Sequence, residues 1–306
     1  MPEPQLIVLG YGAQSSARAL QRDADRGLLH RIRPGVYVDR TAWEAANPEQ
    51  QLRWKARGLG LQRPDTIFAG STAAVLHGLP MLWPLPDRPE IMQPRARRTA
   101  STSQAIHRST LAPPEPVLLD GIAVTSVART VVDLAGLLSF RRAMLPLDAA
   151  LRAGARRDEL LGELEQARPQ AAQRASCAIS WADGDAATAG ESATRATLLE
   201  LGYPLPRLQV PIPGTAYDVD LGLLEHGWLF EFDGHAKYQR AEFLRGRTPA
   251  EVVIAEKRRE DEIRAITGAR FLRWTWTEVL QVEPMRRSLA RTRIPREPWR
   301  GTPRSL

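Results

Sequence analysis

Residues 216–234 read AYDVDLGLLEHGWLFEFDG, and this stretch decides the fold of the second half of the chain. Tyr217, Val219 and Leu221 fall on one side of a period-two pattern, with Asp218 and Asp220 on the other. After the tight Glu225-His226-Gly227 turn, Phe230 and Phe232 alternate with Glu231 and Asp233. The pattern predicts a two-stranded hairpin with one apolar and one acidic face. Because the strands are partners, their acidic faces adjoin.

Working outward, GESATRATLLELG (190–202) reads as a helix stopped by Gly202, and RLQVPI (207–212) as a strand. Downstream, EKRREDEIRAITG (256–268) reads as a helix and ARFLRWTW (269–276) as a strand. The expected order is helix, three strands, helix, strand, an α/β core (αβββαβ) over residues 186–283. SWADGDAATAG (180–190) is loop-like and marks its upstream boundary.

Clustered carboxylates repel and raise each other's pKa unless a cation sits among them. Asp220, Glu231 and Asp233, with Glu191 from the first helix, form an oxygen-rich set suited to magnesium or manganese. Such an ion polarises a phosphodiester and lowers the pKa of an attacking water. The plain alternative is a hairpin with one wet face, which ordinarily carries charge there. Only Lys55, Lys237 and Lys257 are lysine; the other 39 of the 42 basic residues are arginine. Codon bias explains such a skew, yet Lys237 and Lys257 both follow the acids, where a compact ammonium can serve a phosphate. In EKRRED the six consecutive charges point all around a helix, so some must face the domain body and meet the acids. A fully solvated helix end is the alternative.

Residues 190–280 resemble the Vsr-like branch of the PD-(D/E)XK nuclease superfamily, which has a restriction-endonuclease-like fold. The matching residues are Glu191, Asp220, Glu231 and Asp233, followed by Gly234-His235. The resemblance implies metal ligation by Asp220 and Glu231, completed by Asp233 or Glu191, with Lys237 or Lys257 as the catalytic ammonium. The chain departs from the superfamily at one place: Asp233 stands where the pattern has lysine, two residues after Glu231. That departure puts turnover in doubt and leaves open a nuclease fold that binds DNA without cutting it.

At the other end of the chain, Ser15 and Ser16 can cap a helix over ARALQRDADRG, and LLHRIRPGVYV turns at Pro34-Gly35. A helix followed by a basic two-stranded wing is the winged-helix arrangement. Arg18 and Arg22 on the helix, with Arg31 and Arg33 on the wing, would meet DNA phosphates. Solvated surface arginines are the alternative. STAAVLHGLP (71–80) reads as a helix capped by Ser71 and ended by Gly78-Leu79-Pro80. Strands are expected at PEIMQP, QAIHRS and GIAVTS, then a helix at SVARTVVDLAGLL. His77 and His107 read as structural. In this order, HRIRPGVYV, STAAVLHGLP and DGIAVTSVARTVVDLA resemble the AbiEi family, antitoxins of type IV toxin–antitoxin systems. The resemblance covers residues 15–140 and implies DNA binding, self-repression and a cognate toxin.

The expected organisation is therefore α+β at the N-terminus and α/β at the C-terminus. A winged-helix unit (1–62) precedes an AbiEi-like unit (63–140), a helical connector (141–185), the nuclease-like domain (186–283) and a basic mobile tail (284–306). Charge follows these divisions. Residues 1–150 carry 18 basic and 13 acidic groups, residues 151–283 carry 17 and 21, and the tail carries seven arginines against one glutamate. An acidic body between basic flanks suits a metal site on a phosphate backbone, or two unrelated domains. The net charge of +7 fits a nucleic-acid partner. Cys177 is the single cysteine, which excludes an internal disulfide and a multi-cysteine zinc site. No run reaches the ~18 apolar residues of a membrane span, and MPEPQLIVLGYG lacks the features of a signal peptide, so a cytoplasmic, membrane-free protein is expected.

Overall fold

A computed structural model describes residues 6–9, 16–94, 102–110, 114–167, 171–234 and 248–297. They fall into two units. The first holds residues 1–137 and 155–176, the second residues 138–154 and 177–306. The chain thus crosses between units more than once: the helix at 140–152, which the sequence reading places in a connector, belongs to the second unit. No helix among the described residues is long and apolar enough to cross a membrane.

The first unit opens with β1 (Ile7–Val8), α1 (Ala17–Asp25), β2 (Leu29–Arg33) and β3 (Val36–Asp39). Ser16 caps α1, its hydroxyl accepting from the Ala19 N–H. Gly35 takes a positive φ of 78° in the turn between β2 and β3, where a Cβ would be strained. The helix and hairpin expected from the sequence are thus present, and β1 completes a three-stranded sheet in the order β1-β3-β2. Val36 and Val38 are fully buried in its central strand. Helices α2 (Arg40–Ala45) and α3 (Pro48–Gln62) follow, α3 opening on an Asn47–Gln50 capping box.

Next come α4 (Gly70–Leu76), β4 (Glu90–Pro94), β5 (Ile106–Thr110), β6 (Val117–Leu119), β7 (Ile122–Val124) and α5 (Val127–Leu137). Strands β4 and β5 pair in parallel, β6 and β7 antiparallel. Phe68 bridges β4 and β7 through Ile91 and Val124, and it anchors a core with Ala56, Leu59 and Ala73. One detail corrects the sequence reading. Ser71 does not cap α4: the helix begins at Gly70, and the cap position is Ala69, whose methyl group cannot accept a hydrogen bond. The cap arrives from β4 instead. The buried Glu90 carboxylate accepts the Ser71 N–H, while the Glu90 N–H donates to the Thr72 hydroxyl at 2.9 Å. Arg108 of β5 donates from Nε to the other Glu90 oxygen at 2.7 Å. His77 is structural, as read, with its ring Nε2 2.7 Å from the Thr125 carbonyl oxygen.

The second unit contains α6 (Phe140–Arg152), while α7 (Arg157–Ala167) belongs to the first and α8 (Ala172–Trp181) runs across the boundary. Then follow α9 (Ala189–Glu200), β8 (Arg207–Pro211), β9 (Asp218–Leu223), β10 (Trp228–Asp233), α10 (Pro249–Thr267), β11 (Arg270–Thr275), α11 (Trp276–Gln281) and α12 (Glu283–Ala290). The order from α9 to β11 is the expected helix, three strands, helix, strand. The sheet order is β11-β10-β9-β8, with β10 and β11 parallel and the other pairs antiparallel. A parallel neighbour needs a crossover, and α10 lies in that connection.

Helices α6 and α9 are tied by a buried ion pair. Arg195 reaches both Asp148 oxygens at 2.9 Å and the Trp181 carbonyl at 2.8 Å, and Asp148 also accepts the Asp183 N–H. Burial pushes the Asp148 carboxyl up, against the pull of Arg195. The expected mobile tail is also corrected. Met285 and Leu289, four residues apart on α12, are buried, and the Glu297 N–H donates to the Gly202 carbonyl. Residues 298–306 lie outside the described residues.

Gly70 has a φ of +57°, and a Cβ there would lie 2.6 Å from Glu90 Oε2. Gly70→Ala should therefore destabilise by roughly 2 kcal/mol or more, read as a lower urea midpoint. Asp148→Ala strands a buried guanidinium and should cost about 3–5 kcal/mol in the same measurement.

Candidate functional site

The alternation in β10 is as the sequence reads it. Phe232 faces α9, where a Cβ on Gly190 would lie 2.1 Å from its ring, and Phe230 stacks on Trp274 at 5.2 Å. On the opposite face Leu229 packs with Ile263 of α10. Glu231 shares that face. Glu231 is covered rather than wet, only 7% exposed, while Asp218 is exposed and Asp220 and Asp233 are half-buried.

The cover is a charge network. Arg259 of α10 donates to Glu231 Oε1, and Arg273 of β11 donates to Glu231 Oε2 at 2.6 Å. Glu256 bridges the same two arginines at 2.7 and 2.8 Å, and Glu260 reaches Arg273 at 3.2 Å. Parallel pairing sets Glu231 directly beside Arg273. Burial opposes charge on Glu256, but Arg259 and Arg273 outweigh it and hold the carboxyl below the usual glutamate range. Burial likewise disfavours the Arg259 cation, and Glu256 and Glu231 more than compensate, raising its pKa.

The other expected ligands are engaged elsewhere. Glu191, 2% exposed, serves the N-terminus of α9: Oε1 accepts the Thr188 hydroxyl at 2.9 Å, and Oε2 accepts the Ala187 N–H at 2.9 Å and Gln209 Nε2 at 2.7 Å. Asp220 uses Oδ2 to accept the Phe232 N–H at 2.8 Å, just past the last paired residues of β9 and β10. Asp233 is half-buried at the end of β10. Among the described residues no group of three or more His, Cys, Asp or Glu gathers as a metal site. Among the described residues Glu191, Asp220 and Glu231 are each engaged by protein donors. Lys257 is exposed on α10. Lys237, with His235, lies outside the described residues.

Arg259 and Arg273 are the residues that sequence reasoning missed. The helix period held the signal: Glu256, Arg259 and Ile263 recur at spacings of three and four, so they share the face that Ile263 buries. The general expectation that part of EKRRED meets the acids is met by Arg259, not by Lys257.

In the first unit Arg18, Arg22 and Arg31 are exposed, as a phosphate-contacting row requires. Arg33 departs from that row. It is half-buried, donates to Gln104 Oε1 at 2.7 Å, and its pKa is lowered by burial and by Arg63.

Residues 66–179 match the family described as AbiEi antitoxin C-terminal domain. This segment, AbiEi-like by that match, runs from just before α4 into α8. It begins downstream of the HRIRPGVYV hairpin and ends upstream of α9. Two relatives from Mycobacterium tuberculosis, uncharacterized protein MT2308 (strain CDC 1551 / Oshkosh) and uncharacterized protein Rv2248 (strain ATCC 25618 / H37Rv), are each 38% identical over 98 residues. The alignments cover 31% of this chain and 36% of each relative, so the chain spans about a third of their length. A crystal structure of the RV2827C protein from Mycobacterium tuberculosis is similar over 55% of this chain and 66% of that one, at 19% identity and a TM-score of 0.34.

The network ties Glu231 to α10 and β11. Glu231→Ala should destabilise by about 1–3 kcal/mol in urea denaturation, less than a fully buried pair because both arginines keep Glu256 and are partly exposed. The lowered pKa of Glu256 also fixes a pH dependence. Its pairing stabilises the folded chain above the ordinary glutamate value of about 4.3, and that contribution is lost as pH falls through the lower folded value. Melting temperatures from pH 5 down to pH 3 should drop further for wild type than for Glu256→Gln.

Proposed function

We propose that the chain is a DNA-binding regulator of the antitoxin type, acting in the cytoplasm with a cognate toxin, and that its second unit is a nuclease-like domain that does not cut. The observation that carries this reading is the match of residues 66–179 to the AbiEi antitoxin C-terminal domain. The family name supplies the toxin–antitoxin role and the toxin partner. The first unit supports the DNA-binding part: helix α1 is followed by the basic β2–β3 hairpin, with Arg18, Arg22 and Arg31 exposed, and in this reading they serve as helix and wing. In that reading α1 approaches a groove and the β2–β3 turn lies along the backbone.

The charge network supports the non-catalytic part. Metal-assisted hydrolysis needs carboxylate oxygens open to the ion and a water to activate. Both Glu231 oxygens face arginines, and both Glu191 oxygens serve the start of α9. We therefore route no hydrolytic step through these residues. Binding without cleavage suits a repressor, whose task is occupancy of a site.

Binding of the full-length protein to duplex DNA, measured by fluorescence anisotropy at several salt concentrations, tests the reading. Replacing Arg18, Arg22 and Arg31 together with Ala should reduce the salt slope by about two to three units. Arg33→Ala should change it less, because Arg33 is tied to Gln104. Unchanged affinity and slope in the triple variant would sink the assignment. A plasmid incubated with wild type and magnesium or manganese should stay intact; cleavage that disappears in Glu231→Ala would restore the nuclease reading.

A further inference from the structure

We propose that the first unit carries a second, concave binding site for the phosphate group of a small phosphorylated ligand, in the cleft where Arg33, Lys55 and Arg88 meet Ser103 and Gln104. The cleft has a volume of about 340 Å³. Its three cations come from separate stretches of chain: the end of β2, the middle of α3 and the loop before β4. Convergence of like charges from three segments costs Coulomb energy unless an anion offsets it.

The protein itself offsets little of that charge. Arg33 Nη2 donates to the Gln104 amide oxygen at 2.7 Å, Lys55 Nζ to the Asp87 carbonyl at 2.8 Å, and Arg88 Nη1 to the Thr102 carbonyl at 2.7 Å. These acceptors are neutral. Among the described residues Asp87 is the one carboxylate lining the cleft; it lies 3.2 Å from Arg88 Nε and also acts on Lys55, but its side chain is 79% exposed. Arg33 Nε is buried and has no hydrogen-bond partner among the described residues. Burial also pulls the pKa of both Lys55 and Arg33 down, which is the direction an oxyanion in the cleft would reverse.

The shape selects the ligand. A duplex backbone is met by cations that project, as Arg18, Arg22 and Arg31 do. Here Lys55 is half-buried, with its ammonium 5.6 Å from the centre of the Trp43 ring, and Arg33 is half-buried as well. A recess of this volume is the size that takes a small molecule. Two guanidinium forks and one ammonium are the donor set that phosphate oxygens match. The inference stands apart from the DNA-binding reading, since it uses different residues on a concave surface.

Titration calorimetry of the full-length protein with pyrophosphate and with ADP at low salt tests it. One saturable site is expected for at least one probe. Lys55→Gln and Arg88→Gln should each weaken it roughly tenfold or more, the scale of a lost charge-assisted hydrogen bond. Ser103→Asp places a negative charge at an exposed lining position and should abolish binding without disturbing the core; it keeps the test decisive where Lys55→Gln lowers the melting temperature. Arg258→Gln, in the other unit, should bind as wild type. Absence of saturable binding for both probes overturns the proposal, as does equal weakening by Ser103→Asp and Arg258→Gln. Loss of duplex DNA affinity in Lys55→Gln, with neither small probe binding, assigns the cleft to the nucleic-acid backbone and also overturns it.

Discussion

The second unit depends on one constraint: the Glu231 carboxylate has been taken out of water and must be neutralised where it stands. An ionised carboxylate at that depth is tolerated only with charge-assisted partners, since its desolvation cost otherwise exceeds what folding can offset. Arg273 is fixed beside it by the parallel register of β10 and β11, and Arg259 arrives from the crossover helix. The network thus joins three consecutive elements of the mixed sheet and orients α10 over it. Glu256 lets each arginine serve two acids, so neither guanidinium is left with charge unmatched by hydrogen bonds.

That constraint also decides the chemistry. The same residue types can hold a metal ion or lock a fold, and what separates the two outcomes is which cation reaches the carboxylates. In a metal site the acids converge and a lone ammonium stands nearby. In this chain permanently charged guanidinium groups meet both Glu231 oxygens, one from Arg259 and one from Arg273. Asp220 is drawn into the plane of the sheet by the Phe232 N–H, which continues strand attachment where the β9–β10 pairing stops. Glu191 is spent on the start of α9. Three of the four acids are committed to backbone or arginine partners before any ligand is considered.

How much of this was legible in the sequence depended on the range of the interaction. Local signals read correctly: Ser16 before α1, Pro34-Gly35 in the hairpin, Gly202 after α9, and the alternation through FEFDG. Order along the chain was legible too, because periodicity and turn residues are local. Non-local partners were not. The cap of α4 comes from Glu90, about twenty positions downstream on β4, and nothing in STAAVLHGLP announces it. The short run containing Met285 and Leu289 was masked by the surrounding arginines. The acid face of β10 looked wet because alternation says which residues share a face, and not what covers it. The winged-helix unit (1–62) and the nuclease-like resemblance (190–280) both lie outside the segment 66–179 on which the family match rests, whereas two of the three AbiEi-like motifs lie within it.

The arginine-rich composition also acquires a physical meaning beyond codon bias. Three of the four buried carboxylates of the described structure close on guanidinium: Glu90 on Arg108, Asp148 on Arg195, Glu231 on Arg259 and Arg273, while Glu191 is held by backbone, hydroxyl and amide donors. Arg129, 5% exposed, joins Asp133 and Glu163 in the same way. A planar fork meets a carboxylate with two parallel hydrogen bonds and is less strongly hydrated than an ammonium, so it costs less to bury. A share of the basic residues is therefore consumed inside the fold. The net charge of +7 then overstates what a nucleic acid would meet in some places and hides it in others. Only cations without an acid partner count toward a phosphate. In the first unit two kinds of basic surface differ in depth: the projecting Arg18, Arg22 and Arg31, and the recess where Arg33 and Lys55 donate to neutral oxygens and Arg88 also meets Asp87. The distinction between these surfaces rests on hydrogen-bond partners and depth, which composition alone does not contain.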